Sequence, residues 1–441
     1  MKEIQTYTGY WFIPDNNRNK WSGTLTITQE SRILLEFIIT REELIKVVPE
    51  VFQQIQSVNN QLPIRLVNGY AKNQATNKDF GITLIDLELI SYSESGLIVL
   101  TLEAKYCLNH YQIQNQNHLL FTNLMLKLDG FDDWMNKFGF NVNNEHDPKV
   151  FSTEITFSPP EPIMLLENKD LNIYFFFRAK SPGFVNGPKA EMEQSVYLNI
   201  EYKKAQNIEV LVNQIEKIQN LFTLINNYPT QRSHCQTKMK HDKRNTIPNI
   251  GDREIDFIFK ETVPDFSKHI NRGSALFSYT KVESQFPDIF QNWINIYEIY
   301  EPALDQYFDT LYFNQGHIVS RFVNILSVLE IYHSRKFNQE ISLKAKIKDL
   351  ILQLTSINEK HFNFSDDFVE EIILIRKFYV HGTEVKTKLT DAMQQKANIS
   401  KHIRSLETIF RIHLLIELGL CQEDISKMIE RKPWQWGKIN N

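Results

Sequence analysis

The spacing of apolar residues changes along this 441-residue chain, and that change constrains the fold more than any other feature. In roughly the first 200 residues the pattern is typical of β-strands. Ser22–Thr28 alternates polar and apolar side chains, and Ile33–Thr40 is a continuous apolar run rich in β-branched residues. Segments rich in Pro, Gly or Asn separate the runs. The pattern predicts a β-rich, sandwich- or barrel-like domain, with further strands at Phe80–Ile90, Gly96–Tyr106, Val150–Phe157, Asn172–Arg178 and Ser195–Tyr202.

The C-terminal part of the chain has the spacing of helices. An amphipathic stripe at Ile208–Ile225 predicts one helix packed on the sheet. From Phe286 onward apolar residues recur every three or four positions, and Pro302 predicts a break or kink in the first of these helices. The set predicts an all-α bundle, with further helices at Ile318–Ser334, Leu343–Leu354, Phe368–Val380 and Ile403–Leu420.

These two patterns predict an α+β protein with two domains. The first is a β-rich domain at 1–270, which includes a helix at about 207–226 and a polar loop at 228–251. The second is the helical bundle at 286–441. The loop is basic and either contacts nucleic acid or is a solvated segment. His234, Cys235 and His241 in the loop lack a fourth ligand, so they are weak candidates for a metal site.

Composition excludes several classes of function. The net charge of −4 excludes a polybasic protein that coats nucleic acid, although a local basic groove remains possible. The 15 glycines form neither G-x-G-x-x-G nor a Walker A loop, which predicts no nucleotide cofactor. The three cysteines lie far apart and give no zinc spacing. No apolar run reaches the ~18 residues that span a bilayer, and the N-terminus lacks a signal-peptide pattern, so we expect a cytoplasmic protein without membrane contact.

The residues with the clearest chemistry are Arg376 and His381, an R-x4-H motif at the end of a predicted helix that stops near Gly382. A histidine there lies at the negative end of the helix dipole, which favours its protonated form, and arginine binds phosphate well. In a straight helix the two side chains are about 140° apart. They converge only if the helix ends or bends between them, or if a second subunit completes the site. The alternative is a surface arginine and a capping histidine.

Two parts of the chain resemble a known family. The sequence G-Y-W-F-I-P at Gly9–Pro14, followed by W-S-G-T-L-T-I at Trp21–Ile27, is similar to the opening of the N-terminal domain of ApeA-type anti-phage defence proteins. The segments S-V-L-E-I-Y-H at Ser327–His333, S-L-K-A-K-I-K-D-L-I at Ser342–Ile351 and I-R-K-F-Y-V-H-G at Ile375–Gly382 resemble, in that order, the ApeA-type HEPN domain. The resemblance implies an all-α bundle of the HEPN type.

The resemblance also implies an activity. HEPN domains commonly act as metal-independent endoribonucleases, and the motif arginine and histidine carry the reaction. Those positions match Arg376 and His381, with no cofactor and no metal. The substrate class is RNA, with tRNA as one candidate. A homodimer or higher homo-oligomer brings two motifs to one groove. The implied role is abortive anti-phage defence, in which the N-terminal domain senses a phage-derived trigger.

Three residues are candidates for supporting roles. Glu330, in an apolar helical stretch, either orients Arg376 through a bidentate pair or is an exposed helix acid. Tyr379 either stacks on a base or belongs to the core. Lys377 stands where active members often have a small polar residue or a histidine; it binds phosphate but accepts no hydrogen bond. This departure favours the alternative of a non-catalytic, dimeric binding or regulatory protein with a HEPN-like bundle.

Four further residues of the helical region are assigned electrostatic or structural roles. His333 and Arg335 follow Glu330 on the same predicted helix and are expected to add positive charge to a groove. His402 and His413 are interpreted as structural or solvent-facing, since neither has a partner at metal-ligand spacing.

Overall fold

The computed structural model describes residues 3–14, 19–47, 65–113, 119–147, 150–180, 191–240, 254–263, 275–313, 317–357, 362, 366–381 and 392–431. The chain divides into two compact units. The first comprises Met1–Gln219 and Thr230–His269, and the second comprises Asn220–Pro229 and Ile270–Asn441.

The first unit is built mainly of antiparallel strands. Its described residues also form three helices: α1 (Arg41–Val47), α2 (Phe131–Met135) and α3 (Ile208–Asn226). The last turns of α3 belong to the second unit. The strands are β1 (Gln5–Phe12), β2 (Trp21–Ile27), β3 (Ile33–Ile39), β4 (Leu66–Asn73), β5 (Asp79–Ser95), β6 (Leu97–Asn109), β7 (Phe121–Leu128), β8 (Phe140–Asp147), β9 (Val150–Phe157), β10 (Ile163–Glu167), β11 (Leu171–Lys180), β12 (Glu193–Gln206), β13 (Arg232–Met239) and β14 (Ile255–Phe259).

Six strands close into a barrel in the order β6-β3-β2-β1-β4-β5, because β5 also pairs with β6. Alternate residues of each strand point inward, and the interior is filled with apolar side chains such as Leu35, Leu84 and Leu100. The prediction of a β-rich, barrel-like N-terminal part is therefore confirmed.

Strand β6 joins the barrel to the rest of the sheet. One edge of β6 pairs with β3 up to Ala104 and then with β14 from Tyr106 to Asn109. From β14 the sheet continues through β13, β7, β12, β11 and β10, while β8 and β9 form a separate hairpin. A single long strand thus belongs to both halves of the sheet.

Part of the segment expected to be a polar loop at 228–251 is strand β13. It pairs with β7 along most of its length and with β14 at Gln236 and Thr237. The buried Arg232 is neutralised by Glu261, with Nε and Oε2 3.0 Å apart. The prediction of a loop is wrong for this part because a buried, paired arginine looks like a solvated one in the sequence. Residues 241–250 lie outside the described part of the chain.

The second unit is helical, as predicted. The sequence predicts a break in its first long helix at Pro302. The structure has a non-helical residue at Tyr300, two positions earlier. The described helices are α4 (Tyr279–Val282), α5 (Phe286–Phe313), α6 (Ile318–Phe337), α7 (Leu343–Thr355), α8 (Asp366–His381), α9 (Ala392–Glu417) and α10 (Gln422–Arg431).

The aromatic and glycine residues near the N-terminus determine how the barrel is packed. Trp11 of β1 is fully buried, and its indole nitrogen donates a hydrogen bond to the Gly23 carbonyl at 3.2 Å. Trp11 pairs directly across the strands with Gly69 of β4. A Cβ at Gly69 would overlap the indole ring, so the ring occupies the space that a side chain would take.

We predict that Gly69→Ala destabilises the first unit by about 1–3 kcal/mol, since overpacking forces the indole or the strand to move. Gly81→Ala on the neighbouring strand β5 is the control, because its Cβ would meet only the flexible side chain of Gln112 at 3.1 Å. Urea unfolding followed by tryptophan fluorescence measures both. Equal stability of the two variants would contradict this account of the packing.

His413 and His402 are both buried in the helical unit, so the solvent-facing alternative is wrong. The imidazole of His413 is within hydrogen-bonding distance of the Leu350 carbonyl, with Nε2 and the oxygen 3.0 Å apart. Desolvation lowers the pKa of His413 from 6.5 to about 4. The folded unit therefore holds this histidine in its neutral form at neutral pH.

We predict that folding stability falls by up to about 3 kcal/mol from this group as the pH drops from 7 to 4. The unfolded chain takes up a proton on His413 below pH 6.5, whereas the folded unit does so only near pH 4. Thermal unfolding of wild type and His413→Gln between pH 4 and 7 tests this, with exposed His317→Gln as the control. An equal pH dependence in wild type and His413→Gln would contradict it.

Candidate active site

Helix α8 carries the R-x4-H motif. It runs from Asp366 to His381, two residues earlier and one residue later than the predicted Phe368–Val380. Two acids, Asp366 and Asp367, lie in the first turn, where the positive end of the helix dipole favours them. The predicted cap at Ser365 and the predicted stop at Gly382 lie outside the described residues.

Arg376 lies at the border of the buried face of α8. Val369, Ile372 and Ile375 on that face are at most 5% exposed, at the spacing of three that places them on one side of a helix. The side chain of Arg376 is 33% exposed. The apolar residues therefore fix the helix against the bundle and leave the guanidinium at the edge of solvent.

Glu330 of α6 lies next to Arg376. The Arg376 Nη2 and Glu330 Oε2 atoms are 3.6 Å apart, and the Glu330 side chain is 37% exposed. The pair joins two helices far apart in sequence, so it can restrict the orientation of the guanidinium. It is a single long contact at a half-exposed position, where solvent weakens an ion pair, rather than the bidentate pair suggested by the sequence.

Two further residues surround Glu330. Lys346 of α7 approaches its other carboxylate oxygen, with Nζ and Oε1 4.0 Å apart. The same ammonium donates a hydrogen bond to the Ser334 hydroxyl at 2.6 Å. The sequence interpretation assigned no role to Lys346. The available signal was its position three residues after Leu343 and four before Leu350, on the buried face of α7.

His381 is the last residue of α8. It lies five positions after Arg376, which in an α-helix corresponds to about 7.5 Å along the axis and about 140° around it. The helix does not end between the two residues. One copy of α8 therefore presents the two motif residues on different sides unless the helix bends.

Lys377 and Tyr379 are on the exposed part of α8. Lys377 is exposed, and Tyr379 is 37% exposed, with its ring packed edge-on against Phe378 at 5.0 Å between centroids. Tyr379 is thus at the surface rather than in the core. Both side chains are accessible to a ligand that approaches the C-terminal half of the helix.

His333 does not add charge to a groove as expected. His333 is fully buried, and its Nε2 lies 2.9 Å from the Asp349 carboxylate. Arg335 donates a hydrogen bond to the Ile299 carbonyl at 2.7 Å, beside the kink at Tyr300. The expectation was wrong for His333 because helical spacing places it on the inner face of α6, whereas Arg335 is exposed beside α5.

No group of three His, Cys, Asp or Glu side chains suitable for a metal ion occurs in the described part of the chain. His234 and Cys235 belong to β13, and His241 falls outside the described residues. Across the described ranges, no helix has the length and apolar character needed to cross a membrane.

Comparison with known proteins assigns both halves of the chain. The model of ApeA N-terminal domain 1 matches residues 6–293, more than half of the chain, and the model of Apea-like HEPN matches residues 303–424. Searches of curated proteins and of solved structures each found no match. An Apea-like HEPN domain supports a nuclease-type function in anti-phage defence. The chain therefore belongs to the ApeA family, with an ApeA N-terminal domain followed by an Apea-like HEPN domain.

Proposed function

We propose that this protein is a metal-independent RNA endonuclease of the HEPN type that acts in abortive-infection defence against phage. The observation that carries the proposal is the position of Arg376, a half-exposed arginine beside Glu330 on the helix that ends at His381. The residue types are those needed to cleave a phosphodiester without a metal. The family assignment supports the same class of reaction.

The chemistry uses the ribose 2′-hydroxyl as the nucleophile. His381 takes the proton from this hydroxyl or gives a proton to the departing 5′-oxygen. Arg376 binds the phosphate and stabilises the extra negative charge of the pentavalent transition state. The products carry a 2′,3′-cyclic phosphate and a 5′-hydroxyl. Glu330 limits the orientations of the arginine, so less freedom is lost when the transition state forms.

Two copies of the chain complete the site in this proposal. The helical repeat separates Arg376 and His381 around α8, so a single phosphate is reached more easily by Arg376 of one copy and His381 of another. A symmetric dimer then has two equivalent sites. Lys377 and Tyr379 are exposed on the same helix, and in this proposal they contact the phosphate and a base.

The N-terminal domain is the sensor in this proposal. RNA is the substrate class, with tRNA as one candidate, and the trigger is a phage-derived component. The division into a β-rich unit and a helical unit supports a separation of sensing from cleavage.

One observation favours a second candidate function. Lys377 is exposed and directly follows Arg376 in the sequence. Two adjacent cations can bind an RNA phosphate whether or not the RNA is cleaved. The second candidate is therefore a non-catalytic, dimeric binding or regulatory protein. It predicts RNA binding that depends on Arg376 and Lys377, with no cleavage.

We predict that His381→Ala abolishes RNA cleavage and phage-dependent toxicity while the fold is retained, because the proton-transfer group is lost. Cleavage of labelled RNA in EDTA is the measurement, and exposed His317→Ala is the matched control. Wild-type cleavage by His381→Ala in EDTA would show that the mechanism is wrong. Binding of RNA without cleavage by the wild type, with and without phage lysate, would favour the second candidate.

We also predict that mixing inactive Arg376→Ala with inactive His381→Ala restores up to about a quarter of wild-type activity. Half of the randomly formed dimers are mixed, and each mixed dimer has one site with an intact arginine and histidine. The variants are mixed under conditions that allow subunits to exchange. Arg404→Ala, which changes an exposed arginine of α9, replaces Arg376→Ala as the control for removal of an arginine. A site shared between two copies would be excluded if both single variants are active. It would also be excluded if the mixture regains no activity although the subunits are shown to exchange.

A further inference from the structure

Lys346 is a buried lysine on the apolar face of α7. Its side chain is 9% exposed, and its neighbours at helical spacing, Leu343 and Leu350, are buried core residues. Placing an ammonium group in such a position has a desolvation cost unless partners compensate it. The partners of this lysine therefore indicate what its charge is for.

Two groups of α6 hold the Lys346 ammonium. It donates to the Ser334 hydroxyl at 2.6 Å, and the Ser334 hydroxyl in turn donates to the backbone carbonyl of Glu330 at 2.8 Å. The ammonium also lies 4.0 Å from Glu330 Oε1. Ser334 and Glu330 are one helical turn apart, so Lys346 touches the same side of α6 from which Glu330 extends.

Glu330 thus lies between two cations from two other helices. Its Oε1 atom is near Lys346 of α7, and its Oε2 atom is near Arg376 of α8. A glutamate that is 37% exposed has several accessible rotamers. An attraction on each oxygen favours the one rotamer in which the carboxylate spans the two cations.

We propose that Lys346 is a positioning residue that acts on Arg376 through Glu330. Its burial keeps it from contacting the substrate directly, so it is not a catalytic residue. It keeps Glu330 directed at Arg376, and Glu330 keeps the guanidinium in the orientation that binds the phosphate. This inference rests on the proposed function, since it concerns the arginine of that same site.

A purely structural role does not require the charge. A methionine has a similar length and flexibility, and it would fill the space between α6 and α7 without the desolvation cost. Another polar pair, His333 with Asp349 at 2.9 Å, already joins these two helices. The charge of Lys346 is therefore explained by the carboxylate that it faces.

The same helix provides matched controls. Lys344 and Lys348 lie two residues before and after Lys346, and both are exposed by about two fifths. They pair with Glu370 and Asp366 of α8 at the surface, where ion pairs contribute little. Lys344→Met removes the same charge from the same helix without touching Glu330.

Steady-state cleavage of RNA by the full-length protein tests the inference. Lys346→Met is expected to lower kcat about tenfold or more, as small misplacements of a catalytic group do, with KM little changed. Lys344→Met keeps the wild-type kcat. The double variant Lys346→Met/Glu330→Gln is no slower than Glu330→Gln alone, because both changes break one chain of contacts. Thermal unfolding of each variant separates loss of activity from loss of fold.

A second readout does not depend on activity. Modification of Arg376 by phenylglyoxal, followed by mass spectrometry, reports how freely the guanidinium moves away from its carboxylate. We expect the rate to rise in Lys346→Met to the level of Glu330→Gln, and to stay at the wild-type level in Lys344→Met. An unchanged rate in Lys346→Met would overturn the inference even if the protein cleaves no RNA.

The two proposals fail in different ways. If the wild type cuts no RNA, or if Arg376→Ala cuts it normally, the proposed function is wrong, and the modification rates still decide the role of Lys346. If Arg376→Ala is inactive while Lys346→Met is fully active, the proposed function stands and the inference is overturned. Additive losses in the double variant also overturn it, because Lys346 would then act independently of Glu330.

Discussion

The helical repeat of α8 is the constraint on which any site built from Arg376 and His381 depends. Five residues advance an α-helix by well over one full turn, so Arg376 and His381 cannot share one face of a regular helix. The structure keeps α8 helical through His381. The bundle therefore supplies the arginine with a partner from another helix, Glu330, and leaves the histidine at the end of α8. A site that needs both residues on one phosphate requires a bend in α8 or a second copy of the chain.

The polar contacts around Glu330 explain how a helical bundle can restrain an arginine at its surface. Apolar packing of Ile372 and Ile375 sets the position of α8. It does not fix the orientation of the Arg376 guanidinium, because the hydrophobic effect is not directional. Charge attraction adds a restraint, because Lys346 of α7 and Arg376 of α8 each lie within 4.0 Å of a different carboxylate oxygen of Glu330 on α6. The Lys346 ammonium is held on the Glu330 side of α6 by its hydrogen bond to the Ser334 hydroxyl at 2.6 Å.

Periodicity in the sequence predicts the elements of this fold better than their connections. The helix at Ile208–Ile225 and the strand at Val150–Phe157 were predicted nearly as observed. One edge of β6 pairs first with β3 and then with β14. This change of partner could not be predicted, since the sequence of β6 does not determine which strands pair with it. Strand β13 was missed because Arg232 looks solvated until Glu261 is brought to it by the fold.

The motifs that resemble the family contain residues that hold the fold together with residues of the proposed site. In the N-terminal half, Trp11 and Gly23 are joined inside the barrel, so their presence indicates the fold and says nothing of the trigger. In Ser327–His333, Glu330 faces Arg376 whereas His333 is buried against Asp349. Sequence alone could pick out the motif pair and Glu330, whose charges interrupt apolar stretches. Helical spacing places Lys346 on the buried face of its helix, but it could not show that the lysine faces Glu330, because that contact joins two helices.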